Sequence, residues 1–226
     1  MNNVLLMWDV DGTLIRSEGL GKRAFEYAFE ILTGIKNACS GINLGGKVDI
    51  GIYKEMCEAF NVKAVEDEEF IKVYTRALEE IVKDKCTMKI NPNIVFLLET
   101  LESKKGVYNV LGTGNIEKGA RLKLSPVDLN KYFKTGGFGD NETERWRIIK
   151  GGIRKSEELF GVKFENENIF VIGDTPRDIE CAKKVGVRSI AVATGNFSEA
   201  ELKESKPDFV FKDLSDTEQV LGSIGI

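Results

Sequence analysis

Five consecutive apolar residues, Val4-Leu5-Leu6-Met7-Trp8, open the first regular element of the chain. A run this short with no polar face reads as a parallel strand buried on both sides. From Gly19 to Lys85 the period changes to that of helices. Ala24, Phe25, Ala28, Phe29 and Leu32 form an apolar stripe that stops near Gly34; a second helix is expected over about 50–60. A third, over about 68–82, carries Phe70, Ile71, Tyr74, Leu78 and Ile81 on one side. After Pro92 strands return in alternation with helices. The pattern gives a helix over 94–103, a strand over 108–111, a helix over 116–124, the segment Phe133 to Phe138, and a helix over 147–160. A strand over 169–172, a helix over 178–185, a strand over 189–192 and an edge strand at Phe209-Val210-Phe211 follow. Such alternation specifies an α/β fold, a doubly wound parallel sheet with helices on both faces. The helical stretch contains no convincing strand and interrupts the α/β rhythm just after its first strand. An inserted all-helical cap is the simplest account, with residues 1–16 and 89–226 as the core and 17–88 as the cap. There is no internal repeat and no low-complexity tract.

Composition narrows the chemistry. With 226 residues and 42% hydrophobic content, the chain can bury one substantial core and a small satellite domain. Its 32 basic and 36 acidic residues nearly balance, so neither nucleic acid nor an anionic membrane is expected as a partner. Small anionic substrates must be held by local groups. Cys39, Cys57, Cys86 and Cys181 form no CxxC pair and read as buried or idle thiols. With no basic leader, cleavage site or membrane-length apolar run, a cytoplasmic setting is expected. Histidine is absent, which removes Ser-His-Asp and Cys-His catalysis, phosphohistidine chemistry and the usual zinc sites. Acid–base work falls to carboxylates.

The segment Trp8-Asp9-Val10-Asp11-Gly12-Thr13-Leu14 puts two carboxylates where the first strand ends, and open α/β sheets bind ligands outside the carboxyl ends of their strands. Period-two alternation points Asp9 and Asp11 to the same side, and Gly12 lets the backbone turn close to an anion. Two like charges this near need a cation or a shared proton, which magnesium with a phosphate ester would supply. Asp-Gly-Thr alone also fits a turn in which Asp11 bonds its own backbone. Asp174, in Gly173-Asp174-Thr175-Pro176-Arg177-Asp178, also follows an apolar strand; Mg²⁺ favours a few carboxylates with water and phosphate oxygen. Asp178 fits equally a carboxylate beside such a metal or the acidic first turn of a helix. Thr113, Gly114 and Asn115 follow a third strand as a hydroxyl and free N–H groups at a helix start, which suits a phosphate cradle or a helix cap, since both use the same donors.

Together these segments resemble the haloacid dehalogenase-like (HAD) superfamily of aspartate-nucleophile phosphohydrolases, and its phosphoglycolate-phosphatase-like branch in particular. Over nearly the whole chain, the resemblance implies Asp9 as nucleophile, Asp11 as acid and base, and a small phosphorylated metabolite as substrate. It also implies Mg²⁺ held by Asp9, Asp174 and the Asp11 backbone carbonyl. The family needs a basic phosphate clamp, commonly a lysine before a proline; that signature is missing here. Phe138-Gly139-Asp140-Asn141-Glu142-Thr143-Glu144-Arg145 instead resembles a subgroup with arginine at that place, which points to Arg145 and leaves Arg147 and Lys150 as alternatives. In the cap, Gly45-Gly46-Lys47-Val48-Asp49 resembles a substrate-facing loop, with valine where threonine is frequent. Lys47 there would reach the leaving group; equally, Asp49 would be the N-cap of a helix. Arg16 and Ser17 stand at the hinge into the cap.

The second aspartate argues against a dehalogenase, because a departing halide needs no proton. A β-phosphoglucomutase-like mutase fits the same core, and a phosphonate hydrolase would use Lys47 as a Schiff-base amine. A reading of another class is a catalytically silent binding module of this fold. Retention of Asp9, Asp11, Thr113 and Asp174 argues against it.

Overall fold

The computed structural model describes residues 3–83 and 88–226; Cys86 lies outside them. The first strand, β1 (Val4–Trp8), is followed by a short β2 (Ile15–Arg16) and three helices, α1 (Leu20–Thr33), α2 (Asp49–Ala59) and α3 (Asp67–Lys83). The chain returns through β3 (Lys89–Ile90), α4 (Ile94–Glu102), β4 (Val107–Gly112), α5 (Glu117–Leu124), β5 (Gly136–Gly137) and α6 (Arg145–Phe160). It closes with β6 (Ile169–Gly173), α7 (Pro176–Val185), β7 (Arg188–Val192), α8 (Glu199–Glu204), β8 (Phe209–Phe211) and α9 (Thr217–Ser223).

Six strands form one sheet in the order β5-β4-β1-β6-β7-β8, every pair parallel. Alternation along β1 divides the core. Leu6 and Trp8 join Leu97 and Leu98 of α4, Leu124 of α5 and Val220 of α9, whereas Leu5 and Met7 join Ile149 of α6 and Ala182 of α7. Both faces are therefore covered, as the uninterrupted apolar strands require. Because β1 lies between β4 and β6, the winding direction reverses there, and the crevice outside its carboxyl end is where such sheets bind ligands.

The helices α1 to α3 enclose a second core of aromatic rings: Tyr53 and Phe70 stack at 4.2 Å and Phe25 meets Tyr74 at 4.5 Å. Ile116 of the main body completes that cluster. The chain enters and leaves this unit through an antiparallel pair, β2 with β3. That pair is absent from the sequence reading, because two residues show no period. No described helix is long and apolar enough to cross a membrane. Cys39, Cys57 and Cys181 are buried and unbridged.

Several boundaries shift. α7 starts at Pro176, because proline is tolerated in a first helical turn and Thr175 with Asp178 forms a capping box there. α6 starts at Arg145, and the segment Phe133 to Phe138 holds only the two residues of β5. The N-cap of α2 is Val48, with Asp49 already helical, so Asp49 does not cap its own helix.

The Trp8 indole N–H donates to Asn109 Oδ1 at 3.0 Å inside the core. Asn109→Leu should strand that donor and destabilise the fold by about 2 kcal/mol, read as a lower urea midpoint at unchanged slope. An unaltered midpoint would show that the bond contributes nothing.

Candidate active site

The strand ends bring the acidic residues together. Trp8 is level with Leu111 of β4 and Ile172 of β6, so Asp9, Thr113 and Asp174 emerge side by side where the three strands stop. Asp9 N–H donates to the Ile172 carbonyl at 2.9 Å, which extends the ladder to the nucleophile candidate itself. Gly12 takes a left-handed φ of 87°, and a Cβ there would collide with the Asp174 carboxylate. The turn is held by Thr194 Oγ1 and Asn91 Nδ2, which both donate to the Gly12 carbonyl, at 2.6 and 2.8 Å. Thr13 Oγ1 donates to Asp174 Oδ1 at 3.2 Å.

Asp9, Asp174 and Asp178 each offer an oxygen within 4.8 Å of the others, all buried. Arg145, only 8% exposed, places Nη2 at 2.8 Å from Asp9 Oδ1 and 2.5 Å from Asp178 Oδ1. Burial pushes the Asp9 carboxyl up to about 6 against the pull of Arg145, with the Asp178 and Asp11 charges adding to the rise. Burial, then Asp9 and Asp178, hold the Asp174 carboxyl well above its ordinary value. For Arg145 burial opposes the charge, but Asp178 and Asp9 outweigh it and the guanidinium is held more firmly protonated. Asp178 takes the helix setting, in the first turn of α7. Its Oδ2 accepts from Thr175 N–H and Oγ1 in the cap of α7, and its Oδ1 lies against Arg145. The other two basic candidates are elsewhere: Arg147 is exposed and pairs with Glu144 at 3.3 Å, and Lys150 is exposed.

The Asp11 side chain stands apart from this cluster. Its Oδ2 accepts from Lys123 at 2.5 Å and its Oδ1 from Ser17 at 3.0 Å. Burial pushes its carboxyl up, but the Lys123 charge and hydrogen bond, helped by Ser17, win and hold it below its ordinary value. Lys123, 2% exposed, also donates to Asn115 Oδ1 at 2.8 Å. This lysine is missing from the sequence reading. The signal was present: Ala120, Lys123 and Leu124 share the buried stripe of α5, where a charge needs a buried partner. At the hinge, Arg16 Nε donates to the Thr194 carbonyl at 3.1 Å.

The cap loop closes over the site through backbone contacts. Arg145 Nη1 donates to the Gly46 carbonyl at 3.2 Å and Arg177 Nη1 to that of Gly45 at 2.8 Å. Asp49 N–H donates to the Gly114 carbonyl at 2.9 Å, and Asp49 Oδ2 accepts from Ile116 N–H at 2.9 Å. Asp49 thus satisfies the start of α5 across the interface, with Asp140 Oδ2 accepting from Glu117 N–H. Thr113 is not the cap of that helix; its Oγ1 accepts from Asn115 N–H at 3.3 Å. Burial raises the Asp49 carboxyl to about 7 despite Lys123 and the Ile116 bond. The Lys47 amine lines the cleft and is ion-paired with Glu55. Core and cap enclose a cavity of about 690 Å³ bounded by Asp9, Asp11, Thr113, Arg145 and Asp174 on one side and Phe25, Asp49 and Tyr74 on the other.

Residues 6–192 match the family described as haloacid dehalogenase-like hydrolase. A protein of Caldanaerobacter subterraneus subsp. tengcongensis, provisionally named pyrophosphatase PpaX, is 28% identical over 95% of this chain and 92% of its own length. Phosphoglycolate phosphatase of Aquifex aeolicus is 26% identical over 94% of this chain and 93% of its own length. Among solved structures, a hydrolase from Pseudomonas syringae superposes with a TM-score of 0.74 at 20% identity, covering 100% of both chains.

The Asp49 carboxyl yields a pH test. Its folded pKa lies above the ordinary 3.8, so its contribution to stability is present below about pH 4 and is lost as the pH rises through about 7. Asp49→Asn keeps an acceptor for Ile116 N–H and cannot ionise. The Tm of this variant relative to the natural chain should rise from pH 4 to pH 7 and then level off, by thermal melts in EDTA. A difference that stays flat would show that the carboxyl titrates as if exposed.

Proposed function

This chain belongs to the haloacid dehalogenase-like hydrolase family, and from that we propose that it is a Mg²⁺-dependent phosphatase that hydrolyses small phosphomonoesters through an aspartyl phosphate on Asp9. The observation that carries the reading is one buried cluster, Asp9 and Asp174 at strand ends with Asp178 in the first turn of α7, neutralised in part by the buried Arg145. A binding module has no need of three acids buried together, of which Asp9 and Asp174 are held above their ordinary pKa.

Three carboxylates against one guanidinium form a hard, oxygen-rich and electron-rich donor set, which fits a small dication. Asp9, Asp174 and the Asp11 carbonyl would hold Mg²⁺, with Asp178 beside them. The ion, when bound, supplies charge neutralisation for the transferring phosphoryl group.

The chain's own groups supply the rest. Asp9 attacks phosphorus in line; its oxygen bonds phosphorus as the ester oxygen departs, which divides one displacement into two. Asp11 donates a proton to the leaving oxygen and, as a carboxylate, takes one from the water that then releases phosphate from Asp9. Lys123 and Ser17 keep Asp11 in the carboxylate form that the second step requires, so the first step needs Asp11 to give up that pair. The Thr113 hydroxyl, an acceptor for Asn115 N–H, retains its proton for a phosphoryl oxygen; Gly114 and Asn115 shape the cradle around it. Arg145 clamps phosphoryl oxygen and, through the Gly46 carbonyl, ties that clamp to the cap. Closure excludes bulk water while the ester is processed.

The purified chain should hydrolyse p-nitrophenyl phosphate with added Mg²⁺ and stop when EDTA is in excess. Asp9→Asn should abolish turnover, and full activity in that variant would remove the nucleophile from Asp9. Asp11→Asn should lower kcat by roughly 10²–10⁴ for an ester with a poor leaving group, in steady-state kinetics. An unchanged kcat would remove Asp11 from proton transfer.

A further inference from the structure

The cap end of the cavity is built unlike its phosphoryl end. Tyr74 of α3 is wholly buried and lines the cavity, yet its hydroxyl has no hydrogen-bond partner among the described residues. A buried hydroxyl without a partner is uncommon in a native protein and calls for a group that comes from elsewhere. Lys123 has three N–H donors and uses two of them, on Asp11 and Asn115. Asp49 accepts from Ile116 N–H on Oδ2, and no described residue donates to its Oδ1. These three side chains border the same space, against the apolar walls of Phe25 and Ile52. They offer one unused donor, one unused acceptor and one group able to do either.

Hydrogen-bonding capacity decides what such a set can hold. Lys123 is paired with Asp11 and faces Asp49 as well. A leaving group that ends in a carboxylate or a phosphate can only accept, and it leaves the Asp49 acceptor without a donor. A hydroxylated group both donates and accepts, and Asp49 offers it a partner whether ionised or protonated.

We infer that Tyr74, Asp49 and Lys123 form a leaving-group subsite that selects phosphate monoesters of neutral polyhydroxy compounds over esters whose leaving group is itself a carboxylate or a phosphate. The inference rests on the phosphatase reading above and narrows its substrate class. A site built to hydrogen-bond hydroxyls discriminates strongly, because a ligand lacking them leaves its buried polar groups unpaired.

The test measures kcat/KM of the full chain with Mg²⁺ on glucose and sorbitol phosphates, phosphoglycolate, pyrophosphate and p-nitrophenyl phosphate. At least one of the two polyhydroxy esters should exceed both phosphoglycolate and pyrophosphate by about tenfold or more, the size of one well-formed hydrogen bond. Tyr74→Phe, which removes one oxygen, should lower the ratio of kcat/KM for that ester to kcat/KM for p-nitrophenyl phosphate by about tenfold. A higher kcat/KM for phosphoglycolate or pyrophosphate overturns the subsite, as does a ratio that Tyr74→Phe leaves unmoved. Absence of hydrolysis for every ester, p-nitrophenyl phosphate included, overturns the phosphatase reading and the subsite with it. Turnover of p-nitrophenyl phosphate with an anionic preference overturns the subsite alone.

Discussion

The site depends on one guanidinium. Asp9 and Asp174 are brought together because parallel strands end together, with Asp178 beside them in the first turn of α7, and burial, then the neighbouring charges, drives the Asp9 and Asp174 carboxyls upward. Arg145 is the buried cation set directly against Asp9 and Asp178. It enters from the first turn of α6, whose start at residue 145 turns the side chain into the sheet edge while Arg147, two positions on, faces solvent. The cluster sets three carboxyls against one guanidinium, a donor set able to hold a metal ion.

The same arginine joins chemistry to closure. It donates to the Gly46 carbonyl of the cap loop, so the group that compensates Asp9 also helps seat that loop over the cleft. Asp49 and Arg177 complete the seating through backbone groups of Gly114, Ile116 and Gly45. Main-chain contacts of this kind depend little on which side chains line the loop. Deeper in the cap lies the Tyr74 hydroxyl, which has no hydrogen-bond partner among the described residues.

Much of the fold was legible because its signals are local and periodic. Uninterrupted apolar strands, helical stripes and the switch of period after Trp8 disclose a parallel sheet with a helical insertion. Asp9 and Asp174 were visible because each follows a strand that must be central. The two-residue strands β2, β3 and β5 were not, since no period can be read from two residues.

What the linear order determined, then, is the sheet, the helical insertion and the edge at which the acids collect, because strand burial and strand ends are encoded within a few neighbouring residues. Which charges meet there was decided only by the folded chain. Asp11 is held by Lys123, 112 positions away, Asp49 serves the helix after β4 instead of its own, and Arg145 is chosen over Arg147 and Lys150. These pairings follow from distance and burial between segments remote in sequence, where a side chain's charge carries no mark of the partner it will find.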